Sequence, residues 1–154
     1  MVEASHLHTL DRFLYAGGEE PKPETNKNHF RLYGHNLCPF VARARYSLAL
    51  KGVPFQEVHV DLNNKAQWHL DLNGGLVPVL ETPQGDLIIE SGVIMDFANE
   101  YTTDKKVTLY PTDPVAAAKM RVIMSKFNLN GIWGAMGTRY KDETKYDAYR
   151  EQLA

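Results

Sequence analysis

Strand-like and helix-like patterns follow one another in a defined order between His29 and Tyr101, and this order constrains the fold more than any other feature. The apolar stretch HFRLYG predicts a short strand, and a helical pattern follows with Pro39 in its first turn and Lys51-Gly52 as its C-terminal stop. The segment PFQEVHVDL alternates apolar and polar residues as a strand does. The next segment, NNKAQWHLDLN, predicts a short helix or a turn-rich connection.

The second half of this region predicts a hairpin and a closing helix. LVPVLET and DLIIE, separated by Gln84-Gly85, are typical of two antiparallel strands, and Ser91 is the expected N-cap of a helix over GVIMDFANEY. The resulting order is a right-handed βαβ unit, then a β-hairpin, then a helix. The predicted fold class is therefore α/β, with a thioredoxin-like domain.

The flanking regions have a different character. Before the domain, Leu7, Leu10 and Leu14 have helical spacing, so either a short amphipathic helix or a mobile tail is expected. The predicted parts of the chain are an N-terminal extension, the thioredoxin-like domain, a linker and a partial all-α domain, at residues 1–29, 30–102, 103–114 and 115–154.

The helical region begins after Pro114 and has a wide apolar face. A second helical pattern starts near Thr144 and continues to Ala154. Two such helices need partners, so we expect the region to be incomplete, covered by another chain or collapsed onto the first domain. The predicted apolar face of the first helix consists of Ala118, Met120, Ile123, Met124 and Phe127.

Composition excludes several classes of function. A net charge of -2 argues against a nucleic-acid-binding protein, which would carry a basic excess. A single cysteine cannot form an internal disulfide, which favours a reducing environment. The N-terminus lacks the features of a signal peptide, and no apolar run is long enough to span a membrane. The expected location is the cytoplasm, with no membrane partner and no metal site.

The single cysteine, Cys38, occupies the start of the first predicted helix. Unpaired backbone N–H groups and the positive end of the helix dipole favour the thiolate, the nucleophilic form. Arg43 and Arg45 add positive charge nearby, although Arg43 is more than a turn away and a solvated position is the alternative. Val41 occupies the position of a dithiol enzyme's second cysteine, so a disulfide of Cys38 would need an external thiol. The alternative is a buried cysteine that serves only in packing.

Three segments together resemble the N-terminal domain of omega-class glutathione transferases: CPFVARARYSLALKGVPF, WHLDLNGGLVPVLET and IIESGVIMDFANEY. The resemblance extends from about Phe30 to Met120. It implies a thioredoxin-like glutathione-binding domain followed by an all-helical domain, with glutathione as co-substrate. The implied activity is that of a glutathione-dependent thiol transferase and dehydroascorbate reductase acting on a small-molecule or disulfide substrate.

The resemblance also implies roles for individual residues. Cys38 matches the cysteine that forms the mixed disulfide with glutathione, and Phe40 matches the aromatic residue of the same motif. Lys65 matches the lysine that holds the glycyl carboxylate. Each has a structural alternative: Phe40 as a core aromatic, and Lys65 as a solvated loop residue. Trp68, a position where the family also has tryptophan, is expected to serve in packing.

Two further pairs complete the implied site. Val77-Pro78 resembles the pair with a cis bond that turns the Val77 backbone towards the glutathione cysteinyl amide. Glu90 and Ser91 match the pair that receives the γ-glutamyl end, and a carboxylate suits the N-terminus of a helix. The alternatives are a trans Pro78 at a hairpin edge, Glu90 as a surface residue and Ser91 as an N-cap only.

The chain departs from the family at Asn73-Gly74-Gly75, one residue shorter than the usual Asn-Pro-x-Gly turn, and in its partial helical domain.

Tyr33 offers another catalytic route, since many other glutathione transferases use a tyrosine just after the first strand. A protein similar to chloride intracellular channels, with a membrane-associating role, is a different class, and a non-catalytic glutathione-binding paralogue is a third. Homodimerisation stays open.

Overall fold

The computed structural model describes residues 10–15, 18–102 and 107–126, and only the backbone of 10–15. The chain divides between Leu109 and Tyr110 into two compact units. The elements in chain order are β1 (Leu10–Tyr15), β2 (Phe30–Gly34), α1 (Pro39–Leu50), β3 (Phe55–Val60), α2 (Gln67–Asn73), β4 (Val79–Glu81), β5 (Leu87–Ile89), α3 (Ser91–Tyr101) and α4 (Pro114–Lys126).

The strands of the first unit form a sheet in the order β1-β3-β2-β4-β5. Strands β1 and β2 each run parallel to β3, whereas β4 is antiparallel to β2 and β5 is antiparallel to β4. Elements β2, α1 and β3 form the predicted βαβ unit, and β4, β5 and α3 form the predicted hairpin and closing helix. The predicted thioredoxin-like arrangement is therefore confirmed.

Residues Leu10–Tyr15 differ from both expectations for the N-terminal extension, because they form neither a helix nor a free tail. They form an outer strand of the sheet, with Leu14 paired to His59 and Tyr15 to Val60. The helical spacing of the leucines was misleading, since pairing with the backbone of β3 satisfies hydrogen bonds that a local pattern cannot anticipate. Residues 1–9 of the extension lie outside the described residues.

Strand β3, predicted from its alternating pattern, is buried almost throughout. Gln56 and Glu57 are buried although both are polar. Each has a buried or half-buried arginine as its partner: Arg31 for Gln56 and Arg45 for Glu57. Apolar and polar residues do alternate in β3, but the strand lies between β1 and β2 in the sheet. Its buried polar residues are therefore hydrogen-bonded to other side chains rather than to water.

Helices α1 and α3 pack together on one face of the sheet. Their apolar residues, including Val41, Leu48 and Ile94, form a buried cluster with Leu32 and Leu80 from the strands. A second cluster contains Tyr33, Val58, Val60 and Val79, with Trp68 and Leu72 packed against it. The domain therefore has an apolar core on each face of its sheet.

Helix α4 begins at Pro114, and its predicted apolar face is partly exposed: Met120 and Met124 are half-buried, and Ala118 is exposed. Ala117 is buried, whereas Ile123 is 67% exposed. Phe127 and the second predicted helix from Thr144 lie outside the described residues. In the described parts of the chain, no helix combines the length and apolarity that a membrane span requires.

Candidate active site

All the predicted site residues lie on segments that meet at one end of the sheet. Because β2 and β3 are parallel, the chain leaves both at the same end, towards Cys38 and Lys65. Tyr33 of β2 pairs with Val79 of the antiparallel β4, which puts Val77 and Pro78 at that end.

The last of these segments follows β5. Ile89 pairs with Val79, so Glu90 and Ser91, which come directly after Ile89, also lie at this end of the sheet. Segments far apart in sequence therefore converge because of strand direction.

Cys38 is the N-cap of α1, as the sequence predicted. Its backbone is extended (φ -83°, ψ 119°), and Pro39 occupies the start of the helix. The Cys38 N–H donates to the carbonyl of His35 at 3.0 Å, and the Cys38 carbonyl accepts from the N–H of Ala42 at 3.0 Å. The thiol is half-buried and is packed against the same apolar cluster as Val77.

The end of β2 lies very close to α1. A Cβ built on Gly34 would be only 2.5 Å from Cγ1 of Val41, a separation that packed atoms do not tolerate. Glycine at position 34 therefore allows the first turn of α1, and with it Cys38, to lie directly against the end of the strand. This role of Gly34 was not predicted from the sequence.

Lys65 lies across the shortened turn that distinguishes this chain from the family pattern. Gly74 and Gly75 both have positive φ, 57° and 71°, and the N–H of Leu76 donates to the carbonyl of Asn73 at 3.0 Å. A Cβ on Gly75 would be 2.7 Å from Cδ of Lys65. The two glycines thus close a tight turn, and Gly75 leaves room for the lysine side chain to pass over it.

The Val77-Pro78 peptide bond is cis, as the resemblance implied. Pro78 is buried and Val77 is half-buried, with its side chain packed against both apolar clusters. Phe40, in the first turn of α1, is half-buried. Trp68 lies against Tyr33, with 5.6 Å between ring centroids, and its Nε1 donates to the carbonyl of Glu20, which fits the expected packing role.

The start of α3 corrects one expectation and adds a residue to the site. The N-cap is Glu90, not Ser91, and Glu90 has the unusual φ of 67° for a residue other than glycine. The Ser91 hydroxyl accepts a hydrogen bond from Nη1 of Arg43 at 3.3 Å. Arg43 is therefore tied to the start of α3, a contact that the sequence did not predict because the two residues are 48 positions apart.

Arg45 does not add free positive charge beside Cys38, contrary to the sequence interpretation. Its guanidinium forms a bidentate pair with the buried carboxylate of Glu57, with Nε 2.9 Å from Oε2. The carboxylate also lies 3.1 Å from Nε2 of His59. The charge of Arg45 is thus compensated from within the sheet, while its Nη2 donates to Oδ1 of Asn36 in the loop before Cys38.

Tyr33 lies away from the surface and has a partner, which does not fit the role of an activating tyrosine. Its hydroxyl donates to Oε2 of Glu81 at 2.9 Å, and its side chain is fully buried. Burial is the largest cause that raises the pKa of Tyr33 above its ordinary value of 10.0. An activated phenol requires the opposite shift and access to the ligand. Among the described residues, no cluster of His, Cys, Asp and Glu could hold a metal ion.

Comparison with known proteins places this geometry in a family. Residues 37–100 match the model "Glutathione S-transferase, N-terminal domain". The chain is 34% identical over 118 residues to glutathione S-transferase omega-1 of Mus musculus, a match that covers 76% of this chain and 48% of the mouse protein. It is also 34% identical over 143 residues to the omega-1 protein of Rattus norvegicus, with 92% and 58% covered.

The chain is also similar to a solved structure of an omega-class glutathione transferase. Glutathione transferase Omega 3C from Trametes versicolor superposes with a TM-score of 0.55 at 34% identity, over 65% of this chain and 41% of the fungal one. The chain spans about half the length of the curated relatives it matches. Because its N-terminal domain matches the family model and its relatives are omega-class proteins, the chain belongs to the omega class of the glutathione transferase family.

Proposed function

We propose that this protein is a glutathione-dependent thiol transferase with Cys38 as its single nucleophile. The observation that carries the proposal is the convergence of Cys38, Val77-Pro78 and Glu90-Ser91 at one end of the sheet. An extended tripeptide with a thiol at its centre and a carboxylate near each end matches such an arrangement, because it needs a sulfur partner, a backbone edge and anion contacts.

Each part of the site has a role in binding glutathione. The backbone of Val77, before the cis bond, pairs with the cysteinyl residue of glutathione as an added strand would. Lys65 holds the glycyl carboxylate, and Glu90 and Ser91 receive the γ-glutamyl end at the start of α3. Phe40, in the first turn of α1, covers the thiols from the solvent side.

The reaction is an exchange of disulfide partners. The Cys38 thiolate attacks the glutathionyl sulfur of a mixed disulfide between glutathione and a substrate, forms a Cys38–glutathione disulfide and releases the substrate as its thiolate. A second glutathione thiolate attacks the glutathionyl sulfur, giving glutathione disulfide and free Cys38. The net reaction consumes one reduced glutathione, whose sulfur is oxidised to the disulfide level while the substrate sulfur is reduced to a thiolate. Dehydroascorbate, a two-electron oxidant, instead requires two reduced glutathione molecules and gives ascorbate and one glutathione disulfide.

Mass spectrometry and a transfer assay test the mechanism. After incubation with glutathione disulfide, the intact protein is expected to gain the mass of one glutathionyl group, and peptide mapping is expected to locate it on Cys38. Cys38→Ser should show no adduct and no transfer from a glutathionylated peptide. Transfer that persists in Cys38→Ser contradicts the proposal.

A second comparison separates the binding roles from the chemistry. Lys65→Met is expected to weaken glutathione binding about tenfold, since a charge-assisted contact contributes about 1.4 kcal/mol or more. Lys27→Met removes an equal charge from an exposed position outside the proposed site, so glutathione binding should be unchanged in that variant. Equal effects of the two substitutions would contradict the role of Lys65.

A further inference from the structure

The contact between Arg43 and Ser91 joins the middle of α1 to the first residue of α3. Nη1 of Arg43 lies 3.3 Å from Oγ of Ser91. Arg43 is half-buried, and Ser91 is only 4% exposed. The helices that carry them pack against each other, which brings the two side chains together.

The chemistry of the two groups determines the direction of the hydrogen bond. A guanidinium has donors only, so the Ser91 hydroxyl oxygen must be the acceptor. One lone pair of that oxygen is then occupied by Arg43, and the hydroxyl hydrogen remains for a different partner. Among residues 18–102 and 107–126, the Ser91 hydroxyl takes part in this hydrogen bond as acceptor and donates none. The Ser91 hydroxyl is therefore prepared to donate to an acceptor from outside the chain.

The charge of Arg43 is unusual at this location. Within the described residues, no carboxylate oxygen lies within 4 Å of its guanidinium. The first turn of α3 contains no acidic residue, and the carboxylate of its N-cap, Glu90, forms no ion pair with Arg43. A cation near the positive end of a helix dipole is unfavourable unless an anion compensates it. Arg45, two residues later, has its compensating Glu57, so the two arginines of α1 differ in this respect.

We propose that Arg43 is a positioning residue that sets the selectivity of this protein for the α-carboxylate of the γ-glutamyl end of glutathione. Arg43 holds the Ser91 oxygen as an acceptor, so that the hydroxyl donates to the carboxylate, and its positive charge stabilises the bound anion. The inference rests on the proposed function, because it deepens the account of the same binding site.

A double-mutant cycle tests whether Arg43 acts through Ser91. The dissociation constant of reduced glutathione is measured by calorimetry for the wild type, Arg43→Met, Ser91→Ala and the double variant. Arg43→Met is expected to weaken binding about tenfold in the wild-type background and less than about twofold when Ser91 is already alanine. Arg43→Lys, whose ammonium can still donate to Ser91, should restore part of the affinity. Lys27→Met controls for net charge.

A second readout separates this role from a purely structural one. Two glutathione analogues are compared: one with the γ-glutamyl α-carboxylate converted to an amide, the other with the glycyl carboxylate converted to an amide. The wild type should discriminate against both. Arg43→Met should lose discrimination against the first analogue only, and Lys65→Met against the second only. A change in packing would weaken all three ligands alike.

The outcomes distinguish this inference from the proposed function. If the wild type does not bind glutathione, the proposed function itself is wrong. If the wild type binds but Arg43→Met retains both affinity and discrimination, or loses affinity equally with and without Ser91, only the role of Arg43 is overturned. If Arg43→Met does not fold, Arg43→Gln replaces it. A neutral amide donates more weakly, so a smaller loss of discrimination is expected, and full retention overturns the inference.

Discussion

The hydroxyl of Tyr33 donates a 2.9 Å hydrogen bond to Oε2 of Glu81, and both side chains are buried in the sheet. The other carboxylate oxygen, Oε1, accepts from Nζ of Lys22 at 2.6 Å and from Oγ1 of Thr25 at 3.1 Å. The segment before β2 is thereby fastened to β4. Tyr33 thus belongs to a structural network rather than to the ligand site.

Tyr33→Phe is expected to lower stability without abolishing thiol transfer. The substitution removes one hydrogen bond to a buried carboxylate that keeps two others, so the free energy of unfolding should fall by about 1–3 kcal/mol. Urea denaturation measures this change, and transfer from a glutathionylated peptide measures activity. A loss of activity of about a thousandfold with stability unchanged would instead identify Tyr33 as catalytic.

Glu81 should make stability depend on pH in the acid range. Burial alone raises the pKa of its carboxyl, but hydrogen bonds from Lys22, Tyr33 and Thr25 outweigh burial and hold the pKa below its ordinary value of 4.5. Because the pKa of Glu81 is lower in the folded state than in the unfolded state, its ionised carboxylate stabilises the fold when the pH is above the unfolded pKa. This stability is lost as the pH falls from about 4.5 through the folded pKa. Glu81→Gln should flatten this part of the curve. An unchanged acid slope contradicts the assignment.

His69 should act in a separate and higher pH range. It is 1% exposed, and neither ring nitrogen has a hydrogen-bond partner in the described structure. Burial first, and the charge of Lys65 second, lower the pKa of His69 below its ordinary value of 6.5; the nearby Leu76 backbone opposes this shift without reaching hydrogen-bond geometry. Stability associated with neutral His69 is therefore present above pH 6.5 and lost as the pH falls through the folded pKa.

The corresponding variant is His69→Leu, which removes two unpaired buried nitrogens. The free energy of unfolding at pH 7 should rise by about 1 kcal/mol, and its decline below pH 6.5 should become shallower. Chemical denaturation between pH 5 and 8 measures both effects. Glu81→Gln serves as the control, because Glu81 titrates below this range and its substitution should not change the pH dependence there. A steeper decline in His69→Leu than in the wild type would contradict the prediction.

The close approach of Gly34 to Val41 predicts a rescue. Gly34→Ala places a methyl group against Cγ1 of Val41 and should lower stability by about 1–3 kcal/mol. Val41→Ala alone leaves a cavity and is also expected to destabilise the protein. The double variant should be more stable than the sum of the two changes predicts, by at least about 0.5 kcal/mol in urea denaturation. If the two changes in the free energy of unfolding simply add, a methyl group at position 34 does not clash with Val41.

Much of the fold was readable from the sequence because its signals are local. Pro39 after Cys38 marks a helix start, and Lys51-Gly52 marks its end, so α1 was predicted with the observed limits. The hairpin and the cis bond before Pro78 followed from turn residues and from the resemblance. The predicted domain boundaries, the location and the roles of the site residues stay predictions.

The tertiary structure decided what depends on partners distant in sequence. A strand partner made residues 10–15 a strand, although their leucines have helical spacing. Buried Glu57 neutralises Arg45, whereas Arg43, two residues earlier, reaches Ser91 and keeps its charge at the site. The sequence by itself determined the elements from β2 to α3, and it predicts Cys38 as the one nucleophile. Only the packing of α1 against α3 and the sheet decided that Arg45 meets Glu57 and that Arg43 meets Ser91, since these contacts depend on three-dimensional neighbours.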